Sequence, residues 1–288
     1  MRRLGQPKPL HPLIALINYG NLKSDLADAG TIIINNFYKV SFRNDFKGHV
    51  KYGQGYYDFE EGGLAFLAPG QIVTMSGDED RYDGYALFFH PDFIRNYPLG
   101  KTINKYGFFS YTVSEALYLS DKEKKIISSL FETIANELEN NIDHFSQDVL
   151  VAQTELLLSY SNRFYNRQFI TRKVIYNDLI VKMNTYLSKR LDTEKSSLPG
   201  LPSVQEISDY LEVSSRYLTD MLKSLTGQNT QQHIHNKLIE KAKDILSTTN
   251  LTIAEIAYEL GFEHPQSFNK LFKQKTKMSP VKFRQSFN

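Results

Sequence analysis

The spacing of apolar and polar positions changes period along this 288-residue chain. From about Gly30 to His90 the apolar residues come in short runs rich in β-branched and aromatic side chains. These runs are Thr31–Ile34, Tyr38–Phe42, His49–Tyr52, Leu64–Leu67, Ile72–Met75 and Tyr85–Phe89. Asn35-Asn36, Gly53-Gln54-Gly55, Glu61-Gly62-Gly63 and Pro69-Gly70 separate them as turns. Such a series predicts a small antiparallel β barrel or sandwich, and a barrel of this size can hold a small ligand. The aromatic stretch that follows, with Tyr97, Tyr106, Phe108, Phe109 and Tyr111, either closes one end of the barrel or packs as core under a loop.

From about Ser120 the period becomes helical. Ile126, Ile127, Leu130, Ile134 and Leu138 form one face behind a Ser120-x-x-Glu123 capping box. A second helix runs from about Ser146 through Val149, Leu150, Leu156, Leu157 and Tyr160, after a break at Asn140–Asp143. Two amphipathic helices joined by a short turn pack antiparallel, and their remaining apolar residues suit a two-fold dimer contact. A third helix spans Ile175–Leu191 and ends in a polar run punctuated by Pro199, Gly200 and Pro202. These shifts divide the chain into 1–115, 116–170 and 171–288.

The last part contains a repeat. Thr252 and Glu255 form a capping box, Ile253, Ile256, Ala257 and Leu260 an apolar face, and Gly261 a left-handed stop. Pro265 then opens a helix in which Phe268, Leu271 and Phe272 face inward. About fifty residues earlier, Ser203–Leu211 matches Thr252–Leu260, capping box included, and Arg216–Lys223 matches Gln266–Lys273 with Leu218, Met221 and Leu222 inward. The pattern is a duplicated helix-turn-helix. Between the copies, Ile234, Leu238, Ala242, Ile245 and Leu246 lie on one stripe of a helix from Thr230 to Ser247. That helix spans roughly 27 Å at its rise per residue. Major grooves on one face of DNA recur about every 34 Å, so one chain can place two recognition helices in neighbouring grooves.

The outward side of the second recognition helix carries His264, Gln266, Ser267, Asn269, Lys270 and Lys273; that of the first carries Ser214, Ser215, Arg216, Thr219, Asp220 and Lys223. Amides pair with adenine, and cations contact guanine or phosphate. Asp220 repels phosphate, so it either faces a base edge or pairs with Arg216 one helical turn away. From His264 onward there are Lys270, Lys273, Lys275, Lys277, Lys282 and Arg284, and no carboxylate side chain.

Composition narrows the rest. The formal charge is only +2, so a nucleic-acid surface must be local. The absence of Cys removes disulfides, thiol nucleophiles and Cys-ligated zinc, and fits a cytoplasmic protein. No apolar run approaches a membrane span and no signal-peptide core appears. A metal site needs clustered His and carboxylate. His49 stands alone on its strand and His90 caps a turn into Pro91–Ile94, while Asp58, Glu60 and Glu61 read as a solvated turn. No cofactor, metal or catalytic residue is expected.

These motifs resemble the AraC/XylS family of bacterial transcription regulators. Gly261-Phe262, Ser267-Phe268, Phe272-Lys273, Ser279-Pro280, Phe283-Arg284 and the first repeat carry the resemblance, from about Pro202 to Phe287. It implies an α+β protein: a cupin-like antiparallel β barrel with a helical hairpin, then an all-α domain with two helix-turn-helix modules joined by a helix. It also implies promoter binding on double-stranded DNA, contact with RNA polymerase, a small-molecule effector, a homodimer and an activator's role. Lys277 departs from the family pattern, which has Gly there as at Gly227; a left-handed Lys costs about 1 kcal/mol, which argues for a strained or altered turn. The alternatives are a cupin-like metal-dependent enzyme with an accessory DNA-binding domain, and an interaction protein that uses its helical hairpin. A DNA-repair methyltransferase would need an acceptor Cys.

Overall fold

A computed structural model describes residue 9 and residues 11–21, 32–45, 49–52, 55–58, 62–74, 83–112, 115–140, 143–192 and 200–286; side chains are not described at 32–34, 45, 49–52, 55–58, 72–74 and 173–175. The chain divides into two compact units, Met1–Thr171 and Arg172–Asn288.

Among its described residues the first unit holds nine strands. They are β1 (Ile14–Asn18), β2 (Ile32–Ile34), β3 (Tyr38–Asp45), β4 (His49–Tyr52), β5 (Gly55–Asp58), β6 (Gly63–Leu67), β7 (Ile72–Thr74), β8 (Asp83–Phe89) and β9 (Leu117–Tyr118). Five form an antiparallel sheet in the order β1-β8-β3-β6-β9, while β2 pairs β7 and β4 pairs β5. Three strands escape the sequence pattern. β1 pairs with β8 through the register Ile14↔Phe89 to Asn18↔Tyr85. β5 occupies Gly55–Asp58, where Gly55 and Asp58 signal a turn; Tyr56 and Tyr57 lie opposite Lys51 and Val50 in the ladder. β9 is only two residues long. Glu60 and Glu61 lie outside the described residues.

Two short helices, α1 (Pro91–Ile94) and α2 (Pro98–Thr102), lead into the aromatic segment. His90 caps α1 as expected: its Nδ1 accepts from the Asp92 amide at 3.2 Å. Phe108, Phe109 and Tyr111 are buried, so the aromatic segment is core. The Phe108 ring lies 4.2 Å from that of Phe66 on the sheet.

The hairpin is α3 (Asp121–Glu139) and α4 (Ser146–Thr171). Ser120 and Glu123 close the expected box, the Ser120 amide donating to Glu123 Oε2 at 2.8 Å. The buried line of α3 is Ile127, Phe131 and Ile134, while Ile126 is turned out. Phe131 decides this rotation by stacking on Phe42 and Tyr85 of the sheet; each such buried ring contributes about 1.5–3 kcal/mol. α4 runs a full three turns beyond Tyr160, and this extra length does structural work. Gln168 accepts from the Tyr118 amide at 2.8 Å and donates to the Ala116 carbonyl at 3.1 Å. Arg167 reaches the Tyr118 carbonyl and forms an ion pair with Glu123 at 2.6 Å. Edge strand β9 is thereby covered instead of left open for pairing.

Among its described residues the second unit is all-α. It comprises α5 (Lys173–Arg190), α6 (Val204–Tyr210), α7 (Ser215–Thr226), α8 (Thr230–Thr248), α9 (Ile253–Glu259), α10 (Pro265–Thr276) and α11 (Pro280–Gln285). The α8 stripe of Ile234, Leu238, Ala242, Ile245 and Leu246 is buried as its spacing requires. Leu218, Met221 and Leu222 of α7 and Phe268 and Phe272 of α10 are fully buried. Each copy is therefore a helix pair packed on a common central helix.

Candidate nucleic-acid interface

The two modules are built by the same local chemistry. Ser203 caps α6 by accepting from the Glu206 amide at 3.0 Å, and Ser214 caps α7 by accepting from the Tyr217 amide at 3.2 Å. In the second module Thr252 accepts from the Glu255 amide at 3.2 Å, and the Glu255 carboxylate accepts from the Thr252 amide at 2.7 Å. The turns are congruent. The Val213 amide donates to the Ser208 carbonyl at 3.0 Å, and the Phe262 amide to the Ala257 carbonyl at 2.9 Å. Each turn passes through one left-handed residue, Glu212 at φ 57° and Gly261 at φ 89°. Each recognition helix ends on another, Gly227 at φ 73° and Lys277 at φ 65°. Lys277 thus keeps the glycine geometry. The turn is strained, not altered.

The expected capping box of the first copy is modified. The Glu206 carboxylate turns to α5, accepting from Tyr186 Oη at 2.6 Å and from Arg190 Nε at 2.7 Å. Burial and this hydrogen bond push the Tyr186 phenol up to about 12. Burial pulls Glu206 the other way, but the bonds from Tyr186 and Arg190 prevail and hold its carboxyl below the ordinary range. Arg190 Nη2 also donates to the Gly200 carbonyl at 3.0 Å. That carbonyl lies against the second module: a Cβ on Gly261 would sit 2.5 Å from it. Farther along α5, the buried hydroxyls of Tyr176 and Tyr217 are 2.9 Å apart. This network was not legible from spacing, because its partners are on separate helices.

The twelve expected contact residues fall into two groups. In the first module Ser214 is spent as a cap. Ser215 Oγ lies 2.7 Å from Ser208 Oγ and donates to Gln205 Oε1 at 3.0 Å. Thr219 Oγ1 lies 3.0 Å from Thr230 Oγ1 on α8. Arg216 and Asp220 form the pair expected for this spacing, at 3.0 Å. Lys223 is exposed. In the second module His264, Gln266, Ser267, Asn269, Lys270 and Lys273 are all exposed. Their side chains have no hydrogen-bond partner among the described residues. Gln274, one turn after Lys270, shares this exposure and lies outside those twelve; its i+4 spacing is the sequence signal that places it beside Lys270.

The cationic tail is less uniform than its sequence. Arg284 is turned inward, donating to the carbonyls of Leu246 at 3.3 Å and Leu251 at 2.6 Å, where it satisfies the end of α8. Lys275 reaches Asn236 Oδ1 on α8 at 2.8 Å, and Asn236 also donates to Gln228 at 2.8 Å. Lys270, Lys273, Lys277 and Lys282 remain exposed. Burial lowers His233 and His235 on α8, the latter with help from Lys275, which favours their neutral forms.

Among the described residues no three His, Cys, Asp or Glu side chains lie together as a metal site. The His49 and Asp58 side chains are outside the described set. Among the described residues no helix is long and apolar enough to cross a membrane.

Two short helices joined through a left-handed turn, repeated around a central helix, define a double helix-turn-helix DNA-binding class. The helix-turn-helix domain family matches residues 207–286, from within α6 to the end of α11. The chain is 26% identical over 144 residues to the transcriptional regulator YfiF of Bacillus subtilis, covering 50% of this chain and 42% of that one. It is 22% identical over 254 residues to the transcriptional activator RhaS of Shigella dysenteriae, covering 82% and 83%. It is 33% identical over 81 residues to the xylose operon regulatory protein of Haemophilus influenzae, covering 28% and 21%. Residues 207–286 are thus a helix-turn-helix domain, and these similar proteins are transcription regulators.

Proposed function

We propose that this chain is an AraC-type transcription regulator that binds double-stranded promoter DNA sequence-specifically, with α7 and α10 in neighbouring major grooves, and activates transcription by contact with RNA polymerase in the cytoplasm. The observation that carries the reading is the face of α10, where Gln266, Asn269, Lys270 and Lys273 stand exposed with no hydrogen-bond partner among the described residues. Unpaired donors and acceptors on a rigid helix suit the edges of bases. The α8 helix of 19 residues supplies a span of about 28 Å between the modules.

The N-terminal unit serves as sensor and dimerisation element in this reading. Ile126, Val149 and Leu156 lie exposed on the hairpin and support a two-fold contact. A cavity beside Lys39, Ser41, Phe66, Phe108, Tyr111 and Tyr165 has room for about one water, so an effector entering there must displace side chains.

Footprinting of the full chain on its host's DNA at two salt concentrations tests the function. Discrete sites upstream of genes, covering about two helical turns per protomer, are expected. Their affinity should fall steeply with salt, by roughly one log–log slope unit per phosphate contacted. Diffuse protection without preferred sites would overturn sequence-specific regulation.

A further inference from the structure

Resting on the DNA-binding reading, the structure assigns the two recognition helices different tasks in their neighbouring grooves: we propose that α10 reads the base sequence while α7 seats the domain through contacts to the phosphates that flank its groove. Helices α7 and α10 align residue for residue at an offset of fifty, so equivalent positions can be compared directly. Arg216 corresponds to Gln266, Thr219 to Asn269, Asp220 to Lys270 and Lys223 to Lys273.

At these positions the chemistry diverges. Thr219 is held against Thr230 of α8, and one residue before Arg216 the Ser215 hydroxyl is committed to Ser208 and Gln205. Asn269 has no such tether and is exposed. An amide offers one donor and one acceptor in the geometry of the adenine N6/N7 edge, which a tethered hydroxyl does not. Gln266 and Asn269 stand three residues apart on one helical face, so both amides can reach the same groove floor. The charge pattern points the same way. Asp220 faces Arg216 at 3.0 Å and neutralises it, whereas Lys270 stands in the equivalent place with a like-charged neighbour at Lys273. What α7 offers is Arg216, relieved from Asp220 on binding, and Lys223; both suit phosphate contacts, which position without reading.

Selection of binding sites from random duplex DNA with the full-length protein and three single variants tests this. The wild-type site should contain one half with strongly fixed bases and one half that tolerates most sequences. Asn269→Ala and Gln266→Ala should each relax the preference at a base in the fixed half, by roughly 5- to 150-fold in relative affinity. Arg216→Ala should weaken all sequences alike and lower the salt slope by about one. All three positions are exposed, and unchanged circular dichroism confirms folding. If Arg216→Ala instead erases the fixed bases while Asn269→Ala and Gln266→Ala leave them intact, the assignment is overturned and α7 is the reader. If the wild-type protein enriches no sequence at all, the DNA-binding reading itself fails along with it.

Discussion

Glu212 in the first module and Gly261 in the second occupy the same left-handed turn position, and Gly227 and Lys277 the same helix end. Each module therefore has one glycine and one charged residue at its two left-handed sites, in reversed order. The backbone is the shared quantity, and the residues that carry it differ according to what lies nearby. A Cβ at Gly227 would meet nothing within 4 Å. A Cβ at Gly261 would run into the Gly200 carbonyl at 2.5 Å and the Leu201 amide at 3.0 Å. The first glycine answers to dihedral preference alone; the second answers to dihedral preference and to crowding.

The largest effect should come from breaking that difference. Gly261→Ala carries the left-handed penalty of about 1–2 kcal/mol and, in addition, must push the Gly200 backbone away. A loss of about 3 kcal/mol is expected, against about 1 kcal/mol for Gly227→Ala, where only the dihedral term acts and is partly offset by the stiffer unfolded chain. Calorimetric melting of the full chain, following the transition of the C-terminal unit, checks both. Equal losses would mean that the approach of the Gly200 loop to Gly261 contributes nothing to stability.

A second contrast lies one helix earlier. Glu206 and Glu255 stand at the same first-turn position. Glu255 closes its own capping box, and the Thr252 amide lowers its carboxyl. Glu206 leaves its box and holds Arg190, whose side chain is 8% exposed, together with Tyr186. Glu206→Gln strips a nearly buried guanidinium of its charged partner and should cost about 2 kcal/mol, in the range of a hydrogen bond to a charged group. Glu255→Gln should be close to silent, because Gln closes the same box. The sign with pH follows from the depressed Glu206 carboxyl. Its contribution is present above the unfolded carboxylate pKa and is lost as pH falls through the lower folded value. Tyr186, raised to about 12, acts at the other end: its contribution is full below the ordinary phenol value and is lost as pH rises through the folded one. Urea unfolding from pH 7 down to pH 3 should show a flatter decline for Glu206→Gln than for the wild type. Parallel declines would remove Glu206 from the acid response.

These contrasts also mark how far the sequence could be read. The helix-turn-helix copies were legible because their caps, turns and apolar stripes are set within a few residues. Ser203, Ser214, Thr252, Gly261 and Pro265 each act on neighbours in the chain. The fate of polar side chains was not legible, because it depends on which helix lies across from them. Thr219 looks like a DNA-facing residue until Thr230 is placed beside it, and Arg284 looks like part of a basic tail until the end of α8 receives it. The same limit applies in the first unit. β1 and β9 owe their strand state to partners far away in sequence, at Tyr85–Phe89 and Gly63–Leu64, and β5 overrode its own turn signals to pair with β4.

The smallest expected effects sharpen the comparison of the two strained residues. Glu212→Gly and Lys277→Gly both relieve a left-handed side chain, worth about 1–2 kcal/mol, and both give back about 0.4–1 kcal/mol by loosening the unfolded chain. The remainder is a small gain at either site. The two should nevertheless differ, because each sits just past a helix C-terminus, where the dipole favours cations and disfavours anions by about 0.3–1 kcal/mol. Removing Glu212 from the end of α6 eliminates an unfavourable charge, whereas removing Lys277 from the end of α10 eliminates a favourable one. Glu212→Gly is therefore expected to raise the melting temperature of the C-terminal unit by a few degrees, and Lys277→Gly by less or not at all. High salt, which screens the dipole term but not the dihedral term, should bring the two variants together. If Lys277→Gly is the more stabilising of the pair at low salt, the charge argument is wrong, and backbone strain alone separates the two modules.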